Sequence, residues 1–258
     1  MSASQLDTRP KGFPWILVLC ATIAFGILLA LGTWQVQRMF WKEQLIAKID
    51  QRIHAAPKAL ADIEAEFTAT GAVDYMPVTV RGRFAYDNEQ YFFTTFKGAA
   101  GYAVYTPLIL NDERAILINR GFVPYEKQNP ATRQAGQVEG EVTISGLARD
   151  PLLAKPSTHL PDNEPAKKLY YWKDWGMMME KSGLSQEHDF VGFFVDADNA
   201  PNAGGLPVGG ITILEQPNNH LQYAGTWFAL AAVLLVVTVI FVLRQTRCPR
   251  KNQQQETT

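Results

Sequence analysis

Residues 13–34 read FPWILVLCATIAFGILLALGTW, and residues 221–243 read LQYAGTWFALAAVLLVVTVIFVL. Neither stretch contains a charged residue. At about 1.5 Å of rise per residue, each would form roughly 33 Å of helix, which is enough to cross the hydrocarbon core of a bilayer. The sequence therefore predicts two transmembrane helices, with residues 35–220 between them as one domain.

The first stretch has an alternative interpretation as a secretory signal peptide. A signal peptide has an apolar core of about 7–15 residues, followed by a cleavage site made of small residues. The stretch here is longer, and residues 33–38 read TWQVQR, which offers no such site. These features favour an uncleaved membrane anchor.

The orientation of the helices follows from the basic residues in their short flanks, because Lys and Arg are retained on the cytoplasmic side. Four basic residues follow the second stretch: Arg244, Arg247, Arg250 and Lys251. The segment before that stretch is acidic and has no Lys or Arg back to Lys181. We therefore expect residues 1–12 and 244–258 to be cytoplasmic and the central domain to be periplasmic. The N-terminus lacks an Arg- and Ser-rich transit peptide, which favours a bacterial inner membrane over a mitochondrial one.

The composition excludes several kinds of function. The 258 residues have a formal net charge of −1 and no basic stripe, so we expect no nucleic-acid partner. The two cysteines are Cys20, in the first apolar stretch, and Cys248, in the C-terminal tail. The domain between the helices has no cysteine, so it can form no disulfide and offers no thiolate to a metal.

The central residues show the patterns of an α+β domain. Apolar residues at helical spacing predict a helix over 35–55, and shorter helices are predicted at 60–68 and 172–182. Alternating or β-branched runs predict strands at 78–86, 90–96, 103–110, 114–119, 141–148, 190–196 and 210–215.

Turn residues connect these predicted strands. Asp87–Asn88 and Asn111–Asp112 are turn pairs and predict antiparallel hairpins, while 150–168 and 198–209 are predicted loops. We therefore expect an antiparallel sheet or a partly closed barrel, attached to two membrane helices.

The sequence lacks the signatures of several common enzyme classes. It has no G-x-S-x-G, P-loop, H-E-x-x-H or paired C-x-x-C pattern, so we expect a protein that is not an enzyme. The four histidines show no ligand spacing among themselves. Asp196 and Asp198 precede a Gly- and Pro-rich loop and are interpreted as turn residues rather than cation ligands.

His220 differs from the other histidines because it lies at the outer edge of the second apolar stretch. A histidine there is often an interfacial residue at a helix start, with Asn218 or Asn219 as the cap. The functional alternative is an axial ligand to haem iron, since a neutral imidazole facing an apolar intramembrane cleft suits that role. Its placement alone leaves both interpretations open.

Four motifs resemble those of the surfeit-locus-one family of cytochrome c oxidase assembly factors. Residues 31–38, LGTWQVQR, followed by Trp41–Lys42, resemble the family's opening motif. Residues 77–84, PVTVRGRF, resemble its first strand, and residues 119–124, NRGFVP, resemble its N-R-G-W-V-P motif with Phe122 in place of Trp. Residues 218–228, NNHLQYAGTWF, resemble the N-H-x-x-Y-A-x-T-W-F start of its second span.

The resemblance implies a function as well as a fold. Members of this family help to assemble haem-copper terminal oxidases, and the resemblance implies that they hold haem a and pass it to the catalytic subunit. The implied partners are that subunit, the lipid bilayer and, as a further candidate, haem a synthase. A cofactor-free scaffold for an oxidase subunit is the alternative, and an enzyme that modifies haem or quinone is a third.

The resemblance makes His220 the candidate haem ligand, and four further residues are expected to line a haem cleft around it. Tyr223 and Trp227 lie three and seven residues beyond His220, on roughly the same helical face. Trp34 and Gln35 lie at comparable depth on the first helix and would form the other wall. Interfacial anchoring would equally place the two tryptophans at these positions.

The arginines outside the cleft are expected to have different roles. Arg38 is predicted to pair with a haem propionate from just above the cleft, with a phospholipid contact as the alternative. Arg81–Gly82 and Arg120–Gly121 belong to the central domain. We interpret each pair as a bulge or turn beside a strand that carries a surface charge.

The predicted topology is testable with fusions of a reporter that is active only outside the cytoplasm. A reporter inserted near Gly204 should be active, and one fused after Thr258 should be silent, because the basic flank holds the C-terminus inside. Activity in the second fusion and silence in the first would reverse the whole orientation.

Overall fold

The computed structural model describes residues 13–212 and 217–246. The chain divides into two units, one formed by residues 1–46 and 216–258 and the other by residues 47–215. The described part of the first unit is mainly helical, whereas the second unit contains the strands. The predicted cytoplasmic segments lie outside the described residues, apart from residues 244–246.

The two apolar stretches form long helices. Helix α1 runs without interruption over Trp15–Ile53, so the predicted span at 13–34 and the predicted helix at 35–55 are one element. The second apolar helix covers His220–Thr246 and is called α4. Both helices are long and apolar enough to cross a membrane. How much of each lies in hydrocarbon remains a prediction.

The second unit contains the other helices and all the described strands. The helices are α2, Leu60–Thr70, and α3, Trp175–Lys181. The strands are β1, Lys58–Ala59; β2, Pro77–Phe84; β3, Gln90–Phe96; β4, Ala99–Leu110; β5, Ala115–Pro124; β6, Val142–Arg149; β7, Leu169–Tyr170; and β8, Phe190–Ala197.

Five of these strands close into a barrel, in the order β2-β6-β8-β5-β4 and back to β2. Closure depends on the length of β4. Its first half, residues 99–105, pairs with β3, and its last residues, 108–110, pair with β2. Strands β1, β3 and β7 extend the sheet beyond the ring. The expected α+β domain between two apolar helices is confirmed, and the barrel is closed.

Two local predictions about the sheet are wrong. The turn at Asp87–Asn88 does not form a hairpin, because β3 pairs with β4 and β2 pairs with the far end of β4. The run 210–215 is not a strand at residues 210–212, and residues 213–216 lie outside the described part. The hairpin at Asn111–Asp112 is confirmed by the β4–β5 pairing. The pairing of β5 with β8 is parallel.

The barrel interior is an apolar core formed by alternate residues of the strands. Its buried members on the strands are Val78, Val80, Leu108, Leu110, Ile116, Ile118, Ala148, Val191, Phe193 and Val195. Helix α2 covers one end of this core with Ile63 and Phe67, and the Phe67 ring meets the Phe193 ring edge-on at 5.5 Å. A second cluster covers the outer face, where Met178 of α3 packs with Tyr105 and Phe194.

Strand β5 contains a bulge at the Asn119–Arg120–Gly121 motif. Ala103 pairs with Phe122 and Tyr105 pairs with Asn119, so Val104 faces two residues of β5. Gly121 has φ +118° and donates its N–H to Oδ1 of Asn119. A Cβ atom at Gly121 would lie 2.0 Å from the Val208 carbonyl oxygen. The motif therefore needs glycine for both its backbone conformation and its close packing.

We expect Gly121→Ala to destabilise the protein much more than Gly140→Ala. Gly140 also has a positive φ, +87°, but no atom lies within 4 Å of the position that its Cβ would take. Its substitution should therefore cost only the backbone strain of about 1–2 kcal/mol. Gly121→Ala adds the clash with Val208 and should cost more than about 3 kcal/mol. Denaturant unfolding of the two full-length variants checks this, and equal losses would show that the bulge tolerates a methyl group.

Candidate functional site

The two apolar helices contact each other through small residues. Gly32 is the buried residue of α1, and a Cβ atom there would lie 2.7 Å from Cε1 of Phe228 on α4. On α4, Ala224 and Ala231 are buried and lie seven residues apart, on one helical face. Small residues allow helix backbones to approach closely, which is the usual basis of helix association in membranes.

His220, the first residue of α4, is hydrogen-bonded to α1. Its Nδ1 lies 2.7 Å from Oε1 of Gln35. The amide oxygen of Gln35 only accepts, so Nδ1 is the donor in this contact. In the tautomer with the proton on Nδ1, Nε2 is the ring nitrogen that carries the lone pair. Within the described part of the chain, Nε2 makes no hydrogen bond.

The segment before α4 is fastened to α1 by two further contacts. Nδ2 of Asn218 donates to the Met39 carbonyl oxygen at 3.4 Å, and Nζ of Lys42 donates to the Pro217 carbonyl oxygen at 2.5 Å. Oδ1 of Asn218 also accepts the backbone N–H of His220 at 3.5 Å. These contacts fix the start of α4 and therefore the position of the His220 ring.

The structure brings together His220 and Gln35 but not the whole predicted set. Across residues 13–212 and 217–246, these are the only two of the six predicted site residues whose side chains hydrogen-bond or stack with each other. Trp34 and Tyr223 are 54% and 56% exposed, and Trp227 is half-buried. Their roles as cleft walls remain predictions.

Arg38 stacks on an aromatic ring of its own helix. Its guanidinium carbon lies 3.8 Å from the centre of the Trp41 ring, and the side chain is exposed. The planar guanidinium therefore has a supporting surface, which limits its freedom and leaves its N–H groups available to an anion. The two predicted partners, a propionate and a phospholipid, both remain open to it.

The arginines of the barrel unit have different environments. Arg81 is exposed and lies 3.3 Å from the Glu141 carboxylate, so it is a surface charge as predicted. Arg120 is only 4% exposed, and the expectation of a surface charge there is wrong. The reason is strand alternation, because Arg120 follows Ile116 and Ile118 on the inward face of β5, where Glu89 accepts a hydrogen bond from its Nη1 at 3.3 Å.

Glu89 is the centre of a buried ionic cluster that the sequence analysis missed. Its carboxylate accepts from Arg120, from both Nη atoms of Arg133, from Tyr91 Oη at 3.0 Å and from Thr106 Oγ1 at 3.3 Å. Removal from water lowers the pKa of the Arg120 guanidinium. A lone Glu after a turn gives no sequence signal for such burial.

The interpretation of Asp196 as a turn residue is wrong, while that of Asp198 is right. Asp196 is 3% exposed and accepts hydrogen bonds from Asn119 Nδ2 and Thr212 Oγ1, both at 2.8 Å. Asp198 accepts the backbone N–H of Ala200 at 2.9 Å, as a turn residue does. Within the described ranges, no group of three or more His, Cys, Asp or Glu side chains is arranged to hold a metal ion.

Comparison with known proteins agrees with the motifs. A family model described as the SURF1 family matches residues 22–232. Surfeit locus protein 1 of Rattus norvegicus is 37% identical over 234 residues, which cover 84% of this chain and 72% of that protein. The Homo sapiens protein is 36% identical over 235 residues, covering 84% and 73% of the two chains. A SURF1-like protein of Monosiga brevicollis is 34% identical over 251 residues, covering 92% and 90%.

The chain belongs to the SURF1 family. The resemblance inferred from the motifs is therefore confirmed, and the matched residues run from within α1, through the barrel, to within α4. Membership of this family and the two apolar helices together support a membrane protein.

Within this SURF1-family chain, Gly32 is the site residue that the sequence analysis quoted without assigning a role. It stands in the LGTWQVQR motif, three residues before Gln35. A glycine inside an apolar helix is itself a signal for close helix approach. Since Gly32 and Gln35 lie on one face of α1, the packing at Gly32 sets the distance at which Gln35 meets His220.

We expect Gly32→Leu to weaken the pairing of α1 and α4, with Gly26→Leu as the matched control on the same helix. A side chain at Gly32 meets the Phe228 ring, whereas Gly26 has no atom within 4 Å of its Cβ position. The overpacking should cost about 1–3 kcal/mol. Unfolding titrations in mixed micelles of dodecyl maltoside and dodecyl sulfate measure the difference. Identical titration curves for the two variants would contradict the close contact.

Proposed function

We propose that this protein is an assembly factor for a haem-copper terminal oxidase, and that it holds haem a through His220 and delivers it to the catalytic subunit. Membership of the SURF1 family supports the assembly role. The hydrogen bond between His220 and Gln35 is the single observation that supports the haem role.

The fit of His220 to haem rests on the state of its ring. An axial histidine needs a neutral imidazole with a free nitrogen lone pair, and ligating histidines almost always donate their other N–H to an acceptor. The contact between Nδ1 and Gln35 supports this role, because it leaves Nε2, which makes no hydrogen bond among the described residues, as the nitrogen that would bind the iron. Haem iron would be bound by Nε2 of His220. In this proposal Gln35 orients the ring and raises its basicity rather than touching the cofactor.

The other predicted residues would supply surface and charge. Trp34 and Tyr223 are more than half exposed beside His220 on the two helices, so each could cover part of a flat apolar macrocycle. Trp227 could extend the same surface one turn further along α4. Arg38 is stacked on Trp41 with its N–H groups available to a propionate.

This role requires binding and release rather than catalysis. Family membership favours a non-catalytic function, and we propose that the protein acts as a carrier. Its proposed partners are the catalytic subunit of the oxidase, haem a synthase as donor, and the lipid bilayer. We place it in a bacterial inner membrane, with the barrel on the periplasmic side and both termini in the cytoplasm, because basic residues follow the apolar stretch 221–243.

A cofactor-free scaffold is the second candidate, and one observation favours it. His220, Asn218 and Lys42 all make cross-helix hydrogen bonds, and such bonds also stabilise helix pairs that bind nothing. In that case Gln35 would be a partner for His220 and neither residue would serve a cofactor.

Haem content separates the two candidates. Wild-type protein purified from membranes of a host that makes haem a should show a Soret band, and His220→Ala should lose it. His220→Met should retain partial haem with an altered spectrum, because methionine still ligates iron but raises its reduction potential. Gln35→Ala should weaken haem binding by roughly ten- to a hundred-fold. Gln37→Ala, an exposed glutamine on the same helix, is the matched control and should bind haem as the wild type does.

Two outcomes would contradict the haem role. A His220→Ala protein with normal haem content and an unchanged spectrum would exclude the axial ligand. Wild-type protein that contains no haem, in a host with abundant haem a, would leave the scaffold as the function.

A further inference from the structure

The barrel has a small cavity at the end where β2 and β8 terminate. The opposite end, where these strands begin, is covered by α2. The cavity has a volume of about 270 Å³. Its walls continue the inward-facing rows of four strands through Phe84, Arg120, Ile144 and Ala197, and the loop at Pro201 and Asn202 borders it. Barrel mouths are common places for small-ligand sites.

Arg120 connects this cavity to the buried ionic cluster. Its guanidinium carbon lies 4.9 Å from the ring centres of both Phe84 and Tyr86, so it is held against two aromatic rings. Its Nη1 donates to Glu89, and its Nη2 donates to the Gly136 carbonyl oxygen. The charged group is thus fixed and almost fully withdrawn from solvent, while the residue still lines the cavity.

The cluster has an excess of positive charge. Two guanidinium groups, Arg120 and Arg133, share the single carboxylate of Glu89. In the described part of the chain, neither arginine has a second carboxylate within ion-pair distance. Carbonyl oxygens of Lys127, Gln128 and Gly136 satisfy remaining N–H groups, but they carry no formal charge.

An uncompensated positive charge of this kind is costly in a protein interior. Arginine does not lose its proton in proteins, so the cluster cannot neutralise itself as a lysine or histidine would. An anion bound beside the cluster would balance this charge. The cavity at Arg120 is the place where the structure has room for one.

We propose that the barrel mouth binds a carboxylate group, with Arg120 as the charge that attracts it. The small volume favours one compact anion, and Val142, Ile144 and Pro201 would contact an apolar body attached to it. The carboxylate could belong to a small acid or to an acidic side chain of a partner protein. This site is independent of the proposed haem role of His220.

Asp198 allows the direction of a charge effect on anion binding to be predicted. It is the acidic residue among those that line the cavity, and its Oδ1 is held by the N–H of Ala200. Its negative charge opposes an incoming anion, so removal of that charge should strengthen binding. The binding of a neutral ligand that only fills the cavity would not depend on the charge at residue 198.

Binding of radiolabelled benzoate to the full-length protein in dodecyl maltoside, measured by equilibrium dialysis, tests the proposal, with benzamide as the neutral analogue. We expect saturable binding of one benzoate per chain and no competition by benzamide. Arg120→Gln should weaken binding at least ten-fold, and Asp198→Asn should strengthen it roughly three-fold or more. Arg81→Gln removes an exposed arginine from β2 and should have no effect.

Further variants keep the test decisive if Arg120→Gln fails to fold. Ala197→Leu should block the cavity and abolish binding without removing any charge. Competition by a short peptide with one glutamate and blocked ends would identify a partner's side chain as the source, whereas competition by small acids alone would identify a free molecule. No saturable benzoate binding by the wild type, or equal binding of benzamide, would overturn the proposal.

Discussion

A polar group that is withdrawn from water must find a partner within the protein, and both units of this chain are arranged around that requirement. In the pair of apolar helices, the Nδ1–H of His220 finds the amide oxygen of Gln35, and this contact sets which nitrogen of the ring is free. In the barrel, Glu89 finds the guanidinium groups of Arg120 and Arg133. The first arrangement leaves a nitrogen available for a ligand, and the second leaves an excess charge.

The family motifs have separable physical roles when they are placed on the structure. In LGTWQVQR, Gly32 allows close helix approach and Gln35 orients His220. In NRGFVP, Asn119 holds the buried Asp196 on the outer face of the sheet, Arg120 enters the barrel as the next residue of the strand, and Gly121 provides the positive φ of the bulge. Each motif therefore combines residues with different structural roles. Neighbouring residues such as Asn119 and Arg120 accordingly contact different parts of the barrel unit.

Features that depend on local pattern and segment length, such as the apolar helices and most strands, were predicted from the sequence. Features that depend on contacts between distant segments, such as strand pairing and the burial of Arg120, were not. The apolar helices and most strands follow from uncharged length and alternation, which are local properties. The hairpin at Asp87–Asn88 was wrong because the long strand β4 offers β2 and β3 separate places to pair. Burial of Arg120 was missed because its acceptors, the Glu89 carboxylate and the Gly136 carbonyl oxygen, are far away in sequence. Gln35 was placed near His220 by comparable depth alone, whereas the hydrogen bond needed the structure.

The central claim is that the helix pair presents His220 as a neutral imidazole with a free Nε2. Nitrogen NMR of the full-length, haem-free protein labelled with ¹⁵N-histidine measures this directly, with His220→Gln used to assign the signal. We predict a protonated Nδ1, an unprotonated Nε2, and loss of that preference in Gln35→Ala. A proton on Nε2 would mean that Nδ1 accepts a hydrogen bond from the Gln35 amide, which would contradict the proposed orientation for a ligand.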